Sequence, residues 1–95
     1  MAIKYSKTNL KKIEEIFISN EFSVRYEKGH FKSGYCLLRD KKIIIINLFF
    51  KEKGRIESLL DILQETQIDK TKLSDISLKM LELIEKSKHT AASSA

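Results

Sequence analysis

Gly34-Tyr-Cys-Leu-Leu-Arg-Asp-Lys-Lys-Ile-Ile-Ile-Ile-Asn-Leu-Phe-Phe50 is the stretch that decides how this chain folds. Two apolar, β-prone runs flank a short polar break at Asp40-Lys41-Lys42, which reads as a β-hairpin. The second run has no polar face. Side chains alternate across a strand, so Ile43 and Ile45 point one way while Ile44 and Ile46 point the other. A strand apolar on both faces must be covered on both sides, which calls for a central strand in a small α+β domain.

Working outward, Phe22-Ser-Val-Arg-Tyr26 alternates apolar and polar residues, as a half-buried strand does. Between it and the hairpin, Lys28 to Gly34 contains two glycines and reads as a turn. The expected strands are therefore Phe22–Tyr26, Tyr35–Arg39 and Ile43–Phe49. Both connections look too short for a crossover, so the expected sheet is an antiparallel meander.

Helical periodicity frames the strands. A first helix is expected from Thr8 to Ser19, capped by Ser6 or Thr8, with Leu10, Ile13, Ile16 and Phe17 as its apolar stripe. Asn20 sits where a helix can end in a left-handed turn. A second helix is expected over Lys53–Gln67, carrying Ile56, Leu59, Leu60 and Leu63, with Glu57, Asp61 and Glu65 on its wet face. A third is expected to start at Asp69 or Thr71 and reach Lys88. Leu73, Ile76, Met80, Leu83 and Ile84 form its main stripe, widened by Leu78 and Leu81. A stripe that wide suits packing on the second helix and also on the sheet or another chain. The architecture is α-β-β-β-α-α: a three-stranded antiparallel meander with one N-terminal and two C-terminal helices. Residues 1–89 read as a single α+β domain, and 90–95 as a flexible tail.

Composition bounds the function. Ninety-five residues suit one domain with a thin core, to which a second copy or a partner could add stability. No apolar run approaches the ~20 residues of a membrane span. The start, Met-Ala-Ile-Lys-Tyr-Ser-Lys, has no apolar signal-peptide core, and one cysteine excludes an internal disulfide framework. These features point to the cytoplasm and to no membrane partner. The net charge of +5 is confined to the N-terminal half: residues 1–42 hold ten Lys or Arg against five Asp or Glu, whereas 43–95 hold eight of each. A one-sided basic surface attracts nucleic acid or acidic partners; a solvated lysine-rich surface is the plainer reading, since no basic run exceeds two residues.

Candidate chemistry is sparse. Cys36 is the only thiol, with His30 nearby, but a cysteine between strand residues reads as a small buried apolar group, so an enzyme centred on the pair ranks last. His30 and His89 lie in different regions and provide no zinc-ligand spacing, so no metal or other cofactor is expected. Gly29 and Gly34 lack the Lys-Ser/Thr of a phosphate loop and lead into a strand. The segment from Arg25 to Tyr35 interleaves basic and aromatic residues, as single-stranded nucleic-acid binders do, which makes Arg25, Lys28, Phe31, Lys32, Tyr35 and Arg39 the candidate contacts of a nucleic-acid-binding module. Tyr35, Phe49 and Phe50 are candidate protein-interface residues, against the alternative that they close the monomer core. The expected function is a non-enzymatic domain acting through protein contacts, with a homodimer or an unknown protein partner. The nucleic-acid module is the alternative.

Tyr26-Glu-Lys-Gly-His-Phe-Lys-Ser-Gly-Tyr-Cys-Leu-Leu38, Ile43–Asn47 and Arg55-Ile-Glu-Ser-Leu-Leu-Asp-Ile-Leu63 together resemble a group of small uncharacterised bacterial proteins, notably of Bacteroides-type bacteria. The resemblance covers residues 22–63 and implies no activity. The order of pieces is also faintly similar to the core of bacterial repressor-cleaving zinc peptidases, where a Gly-x-Cys strand and an Ile-x-Asn strand end precede a helix bearing His-Glu-x-x-His. Setting Arg55 against the arginine before that motif puts Leu60, Asp61 and Gln64 at its His, Glu and His. That resemblance implies a shared fold without zinc binding or peptide cleavage.

Overall fold

A computed structural model describes residues 3–28 and 35–94, with side chains placed through Ser87 except that of Tyr35. The chain runs through helix α1 (Lys7–Ser19), strands β1 (Ser23–Glu27) and β2 (Tyr35–Leu38), a 3₁₀ turn at Arg39–Lys41, strand β3 (Ile43–Asn47), helix α2 (Glu52–Gln64), a second 3₁₀ turn at Lys70–Lys72 and helix α3 (Asp75–Ser94). The α+β class and the element order match the sequence reading.

The sheet is not a meander. Its strand order is β1-β3-β2, with β3 parallel to β1 and antiparallel to β2. The meander argument weighed each connection separately, but the path from β1 to β3 includes β2 and both flanking turns. That path is long enough for the crossover a parallel pair needs. The strand with isoleucine on both faces takes the centre and leaves the less apolar β1 and β2 at the edges.

Each element forms for a local reason. Ser6 is the N-cap of α1, its Oγ accepting the Asn9 backbone N–H at 3.2 Å. The expected stripe of Leu10, Ile13, Ile16 and Phe17 is buried. The left-handed residue that ends α1 is Glu21, at φ 70°, and not Asn20. Asn20 is buried instead. Its Oδ1 accepts the Asp69 N–H at 2.7 Å and its Nδ2 donates to the Asp69 carbonyl at 3.4 Å, which ties the α2–α3 connection to the end of α1. Asp69 caps the second 3₁₀ turn, so α3 begins at Asp75 rather than at Asp69 or Thr71. Its helical backbone continues to Ser94, past the expected end near Lys88.

The core joins α1, α2, α3 and one face of the sheet. Ile13, Ile16, Phe17, Ile44, Ile46, Ile56, Leu59 and Ile62 are its largest fully buried side chains. Phe22 packs edge-to-face on Phe17, the ring centroids 5.8 Å apart. Helix α3 lies mainly against α1, on the helical side of the sheet, whereas the sequence reading placed it on α2 and also on the sheet or another chain; α2 and α3 residues do line one cavity together. It turns Ser77, Met80, Leu81 and Ile84 inward, and leaves Ile76 and Leu83 exposed. The wide stripe read from the sequence is thus split: one part is core and one part is surface. Phe50 also joins the core, with its ring close to Gly54 in the first turn of α2. A Cβ at Gly54 would meet that ring at 2.9 Å, so a glycine there permits the close approach.

Candidate protein-contact surface

Strand register sorts the sheet's side chains onto two faces. Val24, Tyr26, Leu37, Ile44 and Ile46 lie on the helical side and belong to the core or pack against it. The opposite face carries three rows. Ser23, Arg25 and Glu27 come from β1, Ile43, Ile45 and Asn47 from β3, and Cys36 and Leu38 from β2. Ile45 is paired with Arg25 on one side and Cys36 on the other; Ile43 is paired with Ser23 and Leu38. None of these residues belongs to the core cluster. Ile43, Ile45 and Cys36 are partly buried, and Leu38 is exposed. The result is a short apolar stripe flanked by one charged row.

In that row the Arg25 guanidinium lies 3.8 Å from the Glu27 carboxylate. Both side chains are well exposed, and such pairs contribute about 0–1 kcal/mol. Their value is positional, because they set opposite charges side by side along the apolar stripe. Cys36, expected to be a buried core residue, instead stands in the outer stripe as a free thiol. His30 lies outside the described residues.

Of the six candidate nucleic-acid contacts, Phe31 and Lys32 lie outside the described residues, as does the side chain of Tyr35. The other three stand at different places along the sheet. Arg25 is on the outer face, Lys28 follows β1, and Arg39 follows β2 at the opposite end of β3. Arg39 lies 3.8 Å from Glu65, and Lys28 sits 5.7 Å over the Phe49 ring. The two phenylalanines proposed as interface residues part company: Phe50 packs on the core, while Phe49 is 72% exposed.

Comparison of the chain with protein-family models, curated proteins and solved structures gives no match. Leu60, Asp61 and Gln64, the positions set against the metal motif of the zinc peptidases, lie on α2. Among the described residues, no group of three or more His, Cys, Asp or Glu is placed to hold a metal ion. Among the same residues, no helix is long and apolar enough to cross a membrane.

Beside the sheet, one network escaped sequence reasoning. Arg55 donates from Nε to the Phe50 carbonyl at 2.7 Å and from Nη2 to the Leu48 carbonyl at 3.2 Å. Its guanidinium lies 4.5 Å from the centroid of the Tyr26 ring, a cation–π distance. Arg55 therefore braces the β3–α2 turn from within. The Tyr26 hydroxyl donates to Glu14 on α1. Burial, and then this bond to a carboxylate, push the Tyr26 phenol well above its ordinary value. An arginine inside an amphipathic helix carries no mark that it will turn back on a preceding turn, so no sequence signal pointed to it.

Proposed function

We propose that this chain is a protein-contact domain that self-associates through the outer face of its sheet. The observation that carries the reading is the pair Ile43 and Ile45, which stand with Cys36 and Leu38 on the face that no core residue covers. Twofold packing of two such faces brings apolar stripe onto apolar stripe. A twofold axis crossing β1 between Arg25 and Glu27 would also set Arg25 of each copy against Glu27 of the other. The surface is complementary to itself.

Its size limits the strength of the contact. Three strands ~4.8 Å apart, rising ~3.3 Å per residue over the five residues of β3, span only roughly 250 Å² before side-chain relief. A standard interface buries about 800 Å² per partner. Self-association through this face is therefore weak and reversible, toward the millimolar end of the affinity scale.

Sedimentation across a concentration series up to ~1 mM tests the reading. The expected result is a reversible monomer–dimer equilibrium that Ile45→Glu shifts strongly to monomer, while the monomer still unfolds cooperatively. Alkylation of Cys36 slows as dimer forms. A chain that stays monomeric throughout, with a Cys36 rate independent of concentration, overturns the proposal. A titration with single-stranded RNA at two salt concentrations separates the nucleic-acid alternative, since phosphate contacts weaken steeply with salt and an apolar contact does not.

A further inference from the structure

We infer that the cavity between α2 and α3 is a binding site for a small neutral amphipathic molecule. The cavity has a volume of about 350 Å³ and lies on the helical layer, away from the outer sheet face. Small-molecule sites run from about 300 to 1,000 Å³, apolar in their walls with a few polar groups to orient the ligand. Ile3, Leu60, Leu63, Ile68, Leu81 and Ile84 supply the apolar walls here.

The polar groups choose the ligand's charge. Lys70 and Glu85 both line the cavity, and Lys70 Nζ lies 3.2 Å from Glu85 Oε1. Their side chains are about half exposed, 52% and 49%, so the pair marks the solvent side. The pair carries no net charge. A ligand carboxylate would have to compete with Glu85 for Lys70, and a ligand ammonium would compete with Lys70 for Glu85. A neutral hydroxyl or amide disturbs neither. Neutral polar groups, Gln64, Thr66 and Ser87, stand in the same lining. The Gln64 amide can donate and accept, and the Thr66 hydroxyl, which donates to the Ile62 carbonyl at 2.8 Å, keeps its oxygen free to accept. An apolar body the size of a medium alkyl chain or one or two rings, ending in a neutral hydrogen-bonding head, fits both walls and mouth.

Fluorescence titration of the full chain with N-phenyl-1-naphthylamine, a neutral apolar probe, tests this. The expected result is saturable binding, displaced by 1-octanol and several-fold more weakly by octanoate. Amide and methyl chemical shifts should move at Leu63, Leu81 and Ile84, and not at Ile43 or Ile45. Leu60→Trp fills the cavity from a partly buried position and should weaken probe binding at least about tenfold, or about 1.4 kcal/mol. Ile68→Trp does the same from the α2–α3 connection, should the first variant disturb α2. Absence of saturable binding, shifts confined to the outer sheet face, or octanoate displacing the probe better than octanol would each overturn the inference. The wild-type shift map decides the matter even if both tryptophan variants fail to fold. The site is independent of self-association, so failure of one leaves the other standing.

Discussion

The two faces of β3 are built from the same residue and meet different fates. Ile44 and Ile46 are fully buried beneath the helices, while Ile43 and Ile45 share the opposite face with Cys36 and Leu38 and keep part of their surface exposed. Four consecutive isoleucines demand cover on both sides, yet α1, α2 and α3 all gather on one. The difference separates what a residue's chemistry asks for from what the chain can supply by itself. The unmet half of that demand is the physical basis for the proposed self-association.

The sharpest way to break this comparison is to truncate one isoleucine from each face. Ile46→Ala removes a fully buried side chain and should cost about 2–5 kcal/mol in urea denaturation. Ile45→Ala, at concentrations where the chain is monomeric, should cost less than about 1 kcal/mol, because the exposed portion loses little on truncation. Equal costs at the two positions would mean that the outer face is as well covered as the inner one, and the argument for a partner would collapse.

Next in size is the closure of the helical layer. Asn20→Ala removes both side-chain bonds to the Asp69 backbone and leaves buried polar groups unsatisfied, for an expected loss of about 1–3 kcal/mol. Asn20→Asp keeps the acceptor but sets a buried carboxylate against the Ile16 and Asp69 carbonyls, so near neutral pH it should cost at least as much. An unchanged stability in Asn20→Ala would show that the α2–α3 connection is held by its apolar contacts alone.

Tyr26 and Arg25 repeat the comparison on β1, one residue apart and on opposite faces. Tyr26→Phe loses the bond to Glu14 and should cost about 0.5–1.5 kcal/mol near neutral pH. Because the folded state holds the Tyr26 phenol above its ordinary value, the folded protein keeps that proton when the unfolded chain has lost it. The stabilisation is thus fully present below the ordinary tyrosine value near ~10 and is lost as pH rises above it. Denaturation midpoints followed from neutral to strongly alkaline pH should show this loss in the wild type and a weaker one in Tyr26→Phe. Arg25→Ala should give the smallest effect, within about 1 kcal/mol, since its pairing with Glu27 is exposed. Its consequence should appear in self-association, where Arg25→Glu, by setting like charges opposite one another, should weaken the dimer more than Arg25→Ala does.

Much of the local architecture was legible before any tertiary contact was known. Leu10, Ile13, Ile16 and Phe17 announced their buried face by spacing, Ser6 and Thr8 both offered a cap, of which the structure uses Ser6, and the isoleucine run announced a strand that wants cover on both sides. The errors cluster where two local readings compete. Asn20 suits a left-handed helix end, but its amide does more when buried against Asp69, and Glu21 takes the strained position. Ile76 and Leu83 match helical spacing as well as Met80 and Ile84 do, and only packing on α1 chose the second pair for burial. The candidate surface was half legible: the doubly apolar strand was evident, but which pair of isoleucines would be left outside was not. Arg55 and the α2–α3 cavity left no trace, because each depends on residues brought together from separate elements.

The sequence by itself determined the α+β class, the element order, the inward face of α1 and the demand for cover on both sides of β3. Periodicity encodes these, since it is a property of neighbours along the chain. Only the tertiary structure decided the strand order β1-β3-β2, the gathering of all three helices on one side and the residues exposed on the other. Those outcomes come from competition between distant segments for a limited apolar surface. The most apolar strand wins the centre of the sheet, and three helices are enough to bury only one of its faces.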